Sequence, residues 1–154
     1  MKTAGDILIV DDESDIRLLI GATLRDEGFT TMEAASAIEA RDLLAAKPPG
    51  LAILDIWMRD SDMDGLELLE WVKSVYPEVP VLMISGHGTV ETAVQAIRNG
   101  AYDFIEKPFK EDRLLLMVQR AFEASRLERE NAELRARVSE ESDPSIIGVS
   151  TQIK

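Results

Sequence analysis

The strongest constraint on this chain is a regular exchange between two hydrophobic periods. Short aliphatic runs lie at residues 7–10, 51–54 and 81–84, with weaker ones at 30–33 and 103–105. Between them apolar residues recur at helical spacing. Ile16, Leu19, Ile20 and Leu24 form one stripe, ended by Gly28; Ala37, Ala40, Leu43 and Leu44 form a second, stopped by Pro48-Pro49. Leu66, Leu69 and Val72 form a third that ends before Pro77, and Ala93, Ala96 and Ile97 a fourth, closed by Asn99-Gly100. A fifth helix is expected from about Lys110 onward. Five βα units in alternation predict an α/β fold with a parallel sheet covered by helices on both faces. The unbroken runs Ile7-Leu8-Ile9-Val10 and Leu51-Ala52-Ile53-Leu54 suit strands buried on both sides.

With 154 residues, 45% of them apolar and 30% charged, the chain has material for one globular domain and a modest appendage. It contains no Cys, which excludes disulfides and thiolate metal sites and fits a reducing compartment. The first residues lack the apolar stretch of a signal peptide, and no apolar run approaches the ~20 residues of a membrane span. A cytoplasmic protein without membrane contact is expected. The net charge of −12 disfavours non-specific nucleic-acid binding, because phosphate backbones reward Lys and Arg.

The C-terminal part has a different texture. Residues 122–137 contain neither Gly nor Pro and are rich in Glu, Arg, Ala and Leu. In heptads, Ala124, Asn131 and Val138 take a positions while Leu127 and Leu134 take d positions. An a-position Asn fixes a two-stranded register, and Glu130 at g would face Arg135 at e of a second helix. A short coiled coil of a homodimer and a solvated helical extension both fit so brief a segment. Residues 139–144 are expected to break the helix. The expected division is a folded domain at 1–124, a helical linker at 125–143, and the beginning of another domain at 144–154.

In a doubly wound sheet, ligands bind beyond the carboxyl ends of the strands, near the topological switch point. The residues after each run are therefore the candidates: Asp11, Asp12 and Glu13; Asp55; Ser85-Gly86-His87-Gly88; and Lys107-Pro108-Phe109. Taken singly, each is an ordinary loop residue. Together they supply carboxylates, a hydroxyl and an ammonium at one edge. Clustered carboxylates repel one another, so a cation belongs among them, and oxygen ligands favour a hard ion such as Mg²⁺. A carboxylate beside Mg²⁺ can attack phosphorus to give an aspartyl phosphate, with Lys and Ser to meet the new charge.

Four segments carry a resemblance to a known family. Ile7-Leu8-Ile9-Val10-Asp11-Asp12-Glu13, Leu54-Asp55, Met83-Ile84-Ser85-Gly86-His87 and Glu106-Lys107-Pro108-Phe109 resemble the signatures of response-regulator receiver domains, in order and at the expected intervals. The resemblance covers about residues 6–124. It implies a flavodoxin-like (CheY-like) sheet of order 2-1-3-4-5. It also implies that Asp55 accepts phosphate from a histidine kinase, and that Asp12, Asp55 and the Trp57 carbonyl bind Mg²⁺, with Asp11 assisting through water. Ser85 matches the switch hydroxyl and Lys107 the phosphate-pairing lysine, whose bond to Pro108 is usually cis in such domains. Phe104, three residues before Lys107, matches the switch aromatic; Tyr102 lies two positions too early.

One segment departs from the family pattern. Receivers usually follow the acceptor with Met-Pro and reach a Gly eight positions on; here Arg59 follows Met58, and Gly65 lies ten positions after Asp55. The loop 57–64 is thus two residues longer and more acidic. With Ser-Gly-His-Gly and Gly-Ala-Tyr-Asp-Phe-Ile-Glu-Lys-Pro-Phe, it resembles the NtrX branch of the NtrC-type regulators. There a receiver precedes an AAA+ ATPase of the sigma-54 type and a helix-turn-helix domain. Ile146-Ile147-Gly148 resembles the opening of that ATPase, so contacts with DNA and sigma-54 RNA polymerase would belong to domains outside this chain.

Other signals are weaker. Asp60-Ser61-Asp62-Met63-Asp64-Gly65 matches the first half of a calcium loop, but its twelfth position is Trp71 where a bidentate Glu is needed. His87, the single histidine, fits a loop surface better than a tuning role. Phosphohydrolases with an Asp nucleophile generally carry a second Asp two residues on; Trp57 stands there after Asp55, so an enzyme acting on external substrates is not expected. A receiver-like module that is never phosphorylated is opposed by the intact Asp12, Asp55, Ser85 and Lys107. Phosphorylation is expected to shift a two-state equilibrium, with Ser85 and Phe104 carrying the change toward a dimerising face.

Overall fold

A computed structural model describes residues 6–58, 63–86 and 89–141. Five βα units follow one another: β1 (Asp6–Val10), α1 (Ser14–Asp26), β2 (Thr30–Ala34), α2 (Ala37–Ala46), β3 (Leu51–Asp55), α3 (Gly65–Val75), β4 (Val81–Ser85), α4 (Val90–Arg98), β5 (Asp103–Glu106) and α5 (Glu111–Glu141). The strands form one parallel sheet of order β2-β1-β3-β4-β5, as the alternation and the family resemblance require. The order reverses between β1 and β3, which opens a crevice at their carboxyl ends.

The two-residue period of the strands divides the core in two. Leu8, Val10, Ala52, Leu54, Val81 and Met83 point to one face, against Ala40 and Leu44 of α2 and Leu68, Leu69 and Val72 of α3. Ile7, Ile9, Leu51, Ile53, Leu82 and Ile84 point to the other, against Ile20 and Leu24 of α1 and Leu114 and Val118 of α5. Each buried Leu or Ile contributes about 1.5–3 kcal/mol relative to exposure. β2 reads weakly because it is an edge strand, with Thr30 and Glu33 exposed.

Two sequence expectations need correction. Leu19 is 40% exposed, and Thr23 is buried on α1 in its place. On α4 only Ala96 is buried, while Ile97 is 46% exposed, because this helix covers the sheet near its β5 margin with one narrow contact. α5 continues to Glu141, inside the 139–144 segment where a break is expected, and neither Gly nor Pro lies between Pro108 and Pro144. Residues 142–154, and with them Ile146-Ile147-Gly148, lie outside the described residues.

Contacts divide the chain into two compact units, Met1–Phe122 and Glu123–Lys154. In the first, Phe122 stacks on Phe29 with ring centroids 5.5 Å apart. Gly50 makes room for that ring, since a Cβ there would lie 2.7 Å from Phe122 Cε1. In the second, the described residues are helical; Arg126 pairs with Glu123 and Glu130, and Leu127 and Leu134 are exposed. The side chains of Arg135 and Val138 are outside the description, and so is the Glu130–Arg135 pairing. No helix among the described residues is long and apolar enough to cross a membrane.

Candidate functional site

The strand ends converge as the topology demands. Asp11 follows β1, Asp55 ends β3, Ser85 ends β4, and Lys107 follows β5. Asp11 and Asp55 are almost wholly buried and Asp12 is half-buried. One carboxylate oxygen from each of Asp11, Asp12 and Asp55 can be chosen so that all lie within 4.8 Å of one another. They sit at a cleft of about 430 Å³ whose lining includes Asp12, Glu13, Ile16, Asp55, Trp57 and Lys107.

Lys107 gathers this charge. Its Nζ lies 2.9 Å from Asp11 Oδ2, donates to Glu13 Oε1 at 2.9 Å, and reaches Asp55 Oδ2 at 3.4 Å. Its backbone N–H donates to the Ser85 carbonyl at 2.8 Å, and the Lys107–Pro108 bond is cis, as the resemblance implies. The remaining Asp55 oxygen accepts from the Trp57 N–H at 3.3 Å, and Asp11 Oδ1 from the Glu13 N–H at 2.9 Å. Burial, and next the charge of Asp11, push the Asp55 carboxyl up to about 7 against the pull of Lys107. Burial likewise raises Asp11. For Lys107 burial acts downward, but the Glu13 and Asp11 hydrogen bonds and the Asp55 charge outweigh it, so the ammonium is held more firmly than usual.

One ammonium does not balance four carboxylates. Asp11 Oδ2 is buried with the Lys107 ammonium 2.9 Å away as its ion partner, and the cluster keeps a net negative charge that a cation would offset. The donors are all oxygen. This set fits Mg²⁺, which needs few protein ligands.

The other predicted residues are placed as follows. Ser85 is fully buried at the end of β4, and the next residue, Gly86, lines the cleft. Phe104 is partly buried against the core and lines a groove with Thr89, Val90, Ala93 and Phe109. His87 and residues 59–62 lie outside the described residues. Asp64 is the N-cap of α3: it accepts from Glu67 N–H at 2.9 Å while Glu67 Oε1 accepts from Asp64 N–H at 3.0 Å.

The lengthened loop does not displace its closing glycine. Gly65 N–H donates to the Ile56 carbonyl at 2.9 Å, and a Cβ at Gly65 would lie 2.0 Å from the Asp55 carbonyl oxygen. Two residues escaped the sequence reading. The sequence puts Glu13 at the edge without indicating its Lys107 partner, and nothing in the motifs marks Arg17, which donates to the Asp11 carbonyl at 2.6 Å. The available hint for Arg17 is electrostatic: a cation near a helix N-terminus opposes the helix dipole.

The comparisons with known proteins agree with this geometry. Residues 7–119 match the response regulator receiver domain. The chain belongs to that family. Within it, similarity is high to NtrX proteins: it is 56% identical over 132 residues to the nitrogen assimilation regulatory protein NtrX of Azorhizobium caulinodans, covering 86% of this chain and 29% of that one. The crystal structure of the receiver domain of NtrX from Brucella abortus aligns with a TM-score of 0.75 at 57% identity, covering 77% of this chain and 98% of that chain. The beryllofluoride-activated NtrC4 receiver domain dimer aligns at 0.73 with 39% identity, covering 78% and 98%. The chain spans about 30% of the length of the curated relatives it matches.

Proposed function

We propose that Asp55 is the phosphoryl acceptor of this receiver and that a sensor histidine kinase is the donor. The observation that carries this reading is the convergence of Asp11, Asp12, Asp55 and Lys107 at one cleft. An Asp55 carboxylate oxygen attacks phosphorus, the P–N bond to the donor imidazole breaks, and its electron pair leaves with the imidazole. Lys107, already within reach of Asp55 Oδ2, pairs with the phosphoryl oxygens, and the Ser85 hydroxyl donates to another. Asp12, Asp55 and the Trp57 carbonyl, with Asp11 assisting, would hold Mg²⁺, whose charge would offset that of the phosphoryl group when bound.

The chain is then a switch and not an enzyme acting on external substrates. Ser85 and Phe104 relay the phosphorylated state to the α4-β5-α5 face, where a homodimer forms; dimerisation on activation is supported by the beryllofluoride-activated NtrC4 receiver domain, which is a dimer. In the longer protein this controls an AAA+ output domain and, through it, DNA and sigma-54 RNA polymerase. The receiver occupies 1–124, the linker 125–143, and the output domain begins at 144. Cytoplasmic location follows from that role. Incubation with Mg²⁺ and acetyl phosphate, followed by intact mass spectrometry, should show one added phosphate that Asp55→Ala loses. No adduct from acetyl phosphate or a kinase would remove the reading.

A further inference from the structure

The Asp11-Asp12 turn hangs on a brace that reaches back to the sheet edge. Asp11 N–H donates to the Ala34 carbonyl at 3.1 Å, at the end of the β1–β2 ladder. On its other side the Asp11 carbonyl has passed beyond the strand, and Arg17 Nη1 meets it at 2.6 Å. The Arg17 side chain is only 19% exposed, and its Nε lies 3.5 Å from Glu33 Oε1 on β2. Glu33 is approached in turn by Arg25 Nη1 at 3.9 Å, which also donates to Thr31 Oγ1 at 2.9 Å.

These residues share one face. Arg17, Gly21 and Arg25 are successive turns of α1, and Thr31 and Glu33 are alternate residues of β2. Gly21 leaves the space for the pairing: a Cβ there would lie 2.9 Å from Arg25 Nη1 and 3.1 Å from Glu33 Oε2. A guanidinium can hold a carbonyl with one nitrogen and a carboxylate with another in a fixed plane, which an ammonium cannot. We infer that Arg17, braced by Glu33, is a positioning residue that fixes the Asp11-Asp12 turn in the geometry needed for Mg²⁺ binding.

The inference rests on the proposed Mg²⁺-dependent phosphorylation. It works at one remove, since Arg17 bonds the backbone of Asp11 and leaves the carboxylates to the cation and Lys107. Losing such an outer support costs metal affinity about tenfold. Mg²⁺ affinity is read from Trp57 fluorescence in a Trp71→Phe background, with acetyl-phosphate labelling measured alongside. Arg17→Gln should weaken Mg²⁺ about tenfold, while saturating Mg²⁺ restores the labelling rate. Glu33→Gln should weaken Mg²⁺ less, in the same direction, and the double variant should be no weaker than Arg17→Gln alone. Mg²⁺ affinity within twofold of the parent in Arg17→Gln would overturn the inference and leave Arg17 a stability contact only. An additive loss in the double variant would overturn the brace. Absence of labelling in the parent chain would instead strike the acceptor assignment, which keeps the two failures apart.

Discussion

As the proposed phosphoryl acceptor, Asp55 carries a tension between reactivity and burial. A nucleophile for phosphorus must be ionised, yet this carboxyl is buried beside Asp11, and without metal it titrates near 7. The folded state therefore holds the proton more tightly than an unfolded chain, whose carboxyl titrates near 3.8. Its contribution to stability is complete below about pH 4 and is lost as pH rises toward 7. The loss is on the order of a few kcal/mol, at about 1.4 kcal/mol for each unit. Metal-free protein should therefore be less resistant to urea at pH 7.5 than at pH 5 on this group's account. Asp55→Asn should stabilise the fold at pH 7.5 and change little at pH 4, and millimolar Mg²⁺ should narrow the difference. Equal urea midpoints for parent and variant at pH 7.5 would show that Lys107 already neutralises the cluster. The residue types of this cluster were legible because each follows a strand in the chain. The bridging of Lys107 to Glu13 was not, since 94 positions separate them and only the sheet order brings them together.

Among the elements, α3 is tied most directly to the site. Its first residue, Gly65, packs on the Asp55 carbonyl, and all three nearest atoms to an added Cβ are backbone. Gly65→Ala must move the helix or the acceptor strand; such overpacking typically costs about 1–3 kcal/mol. In a chain of this size that lowers Tm by about 3–10 °C, measurable by circular dichroism, with slower acetyl-phosphate labelling. Gly86→Ala is the control, because the nearest atom to its Cβ is Lys107 Cδ at 3.8 Å. A Tm for Gly65→Ala equal to that of Gly86→Ala would contradict the contact. Strands and helices were legible from period alone where the core is thick, as at β1, β3 and β4. Legibility fell at the margins: Leu19 and Ile97 have helical spacing but face outward, because spacing reports which residues share a face and not whether anything covers it.

At the scale of the molecule, exposed apolar residues are spread over several elements, and one group of them lies on α4, the turn before β5 and α5. Val90 is 81% exposed, Val94 45%, Ile97 46%, Tyr102 39% and Leu116 46%, all on α4, the turn before β5, or α5. If phosphorylation closes a dimer over this face, the labelled chain should sediment faster than the unlabelled one. Val94→Lys with Ile97→Lys should abolish that difference while leaving the added phosphate in the mass spectrum. Equal sedimentation of labelled and unlabelled chain would exclude the dimer as output. The Gly65–Ile56 hydrogen bond has a separate consequence, in polymer terms. It ties Gly65 to Ile56, and the entropy of closing a chain between two such tied points varies only with the logarithm of its length. Eight residues in place of the family's usual six then cost roughly 0.3 kcal/mol. A chain two residues shorter between the same tied points should therefore leave the end of β3 in place and the Tm nearly unchanged, as thermal unfolding would show.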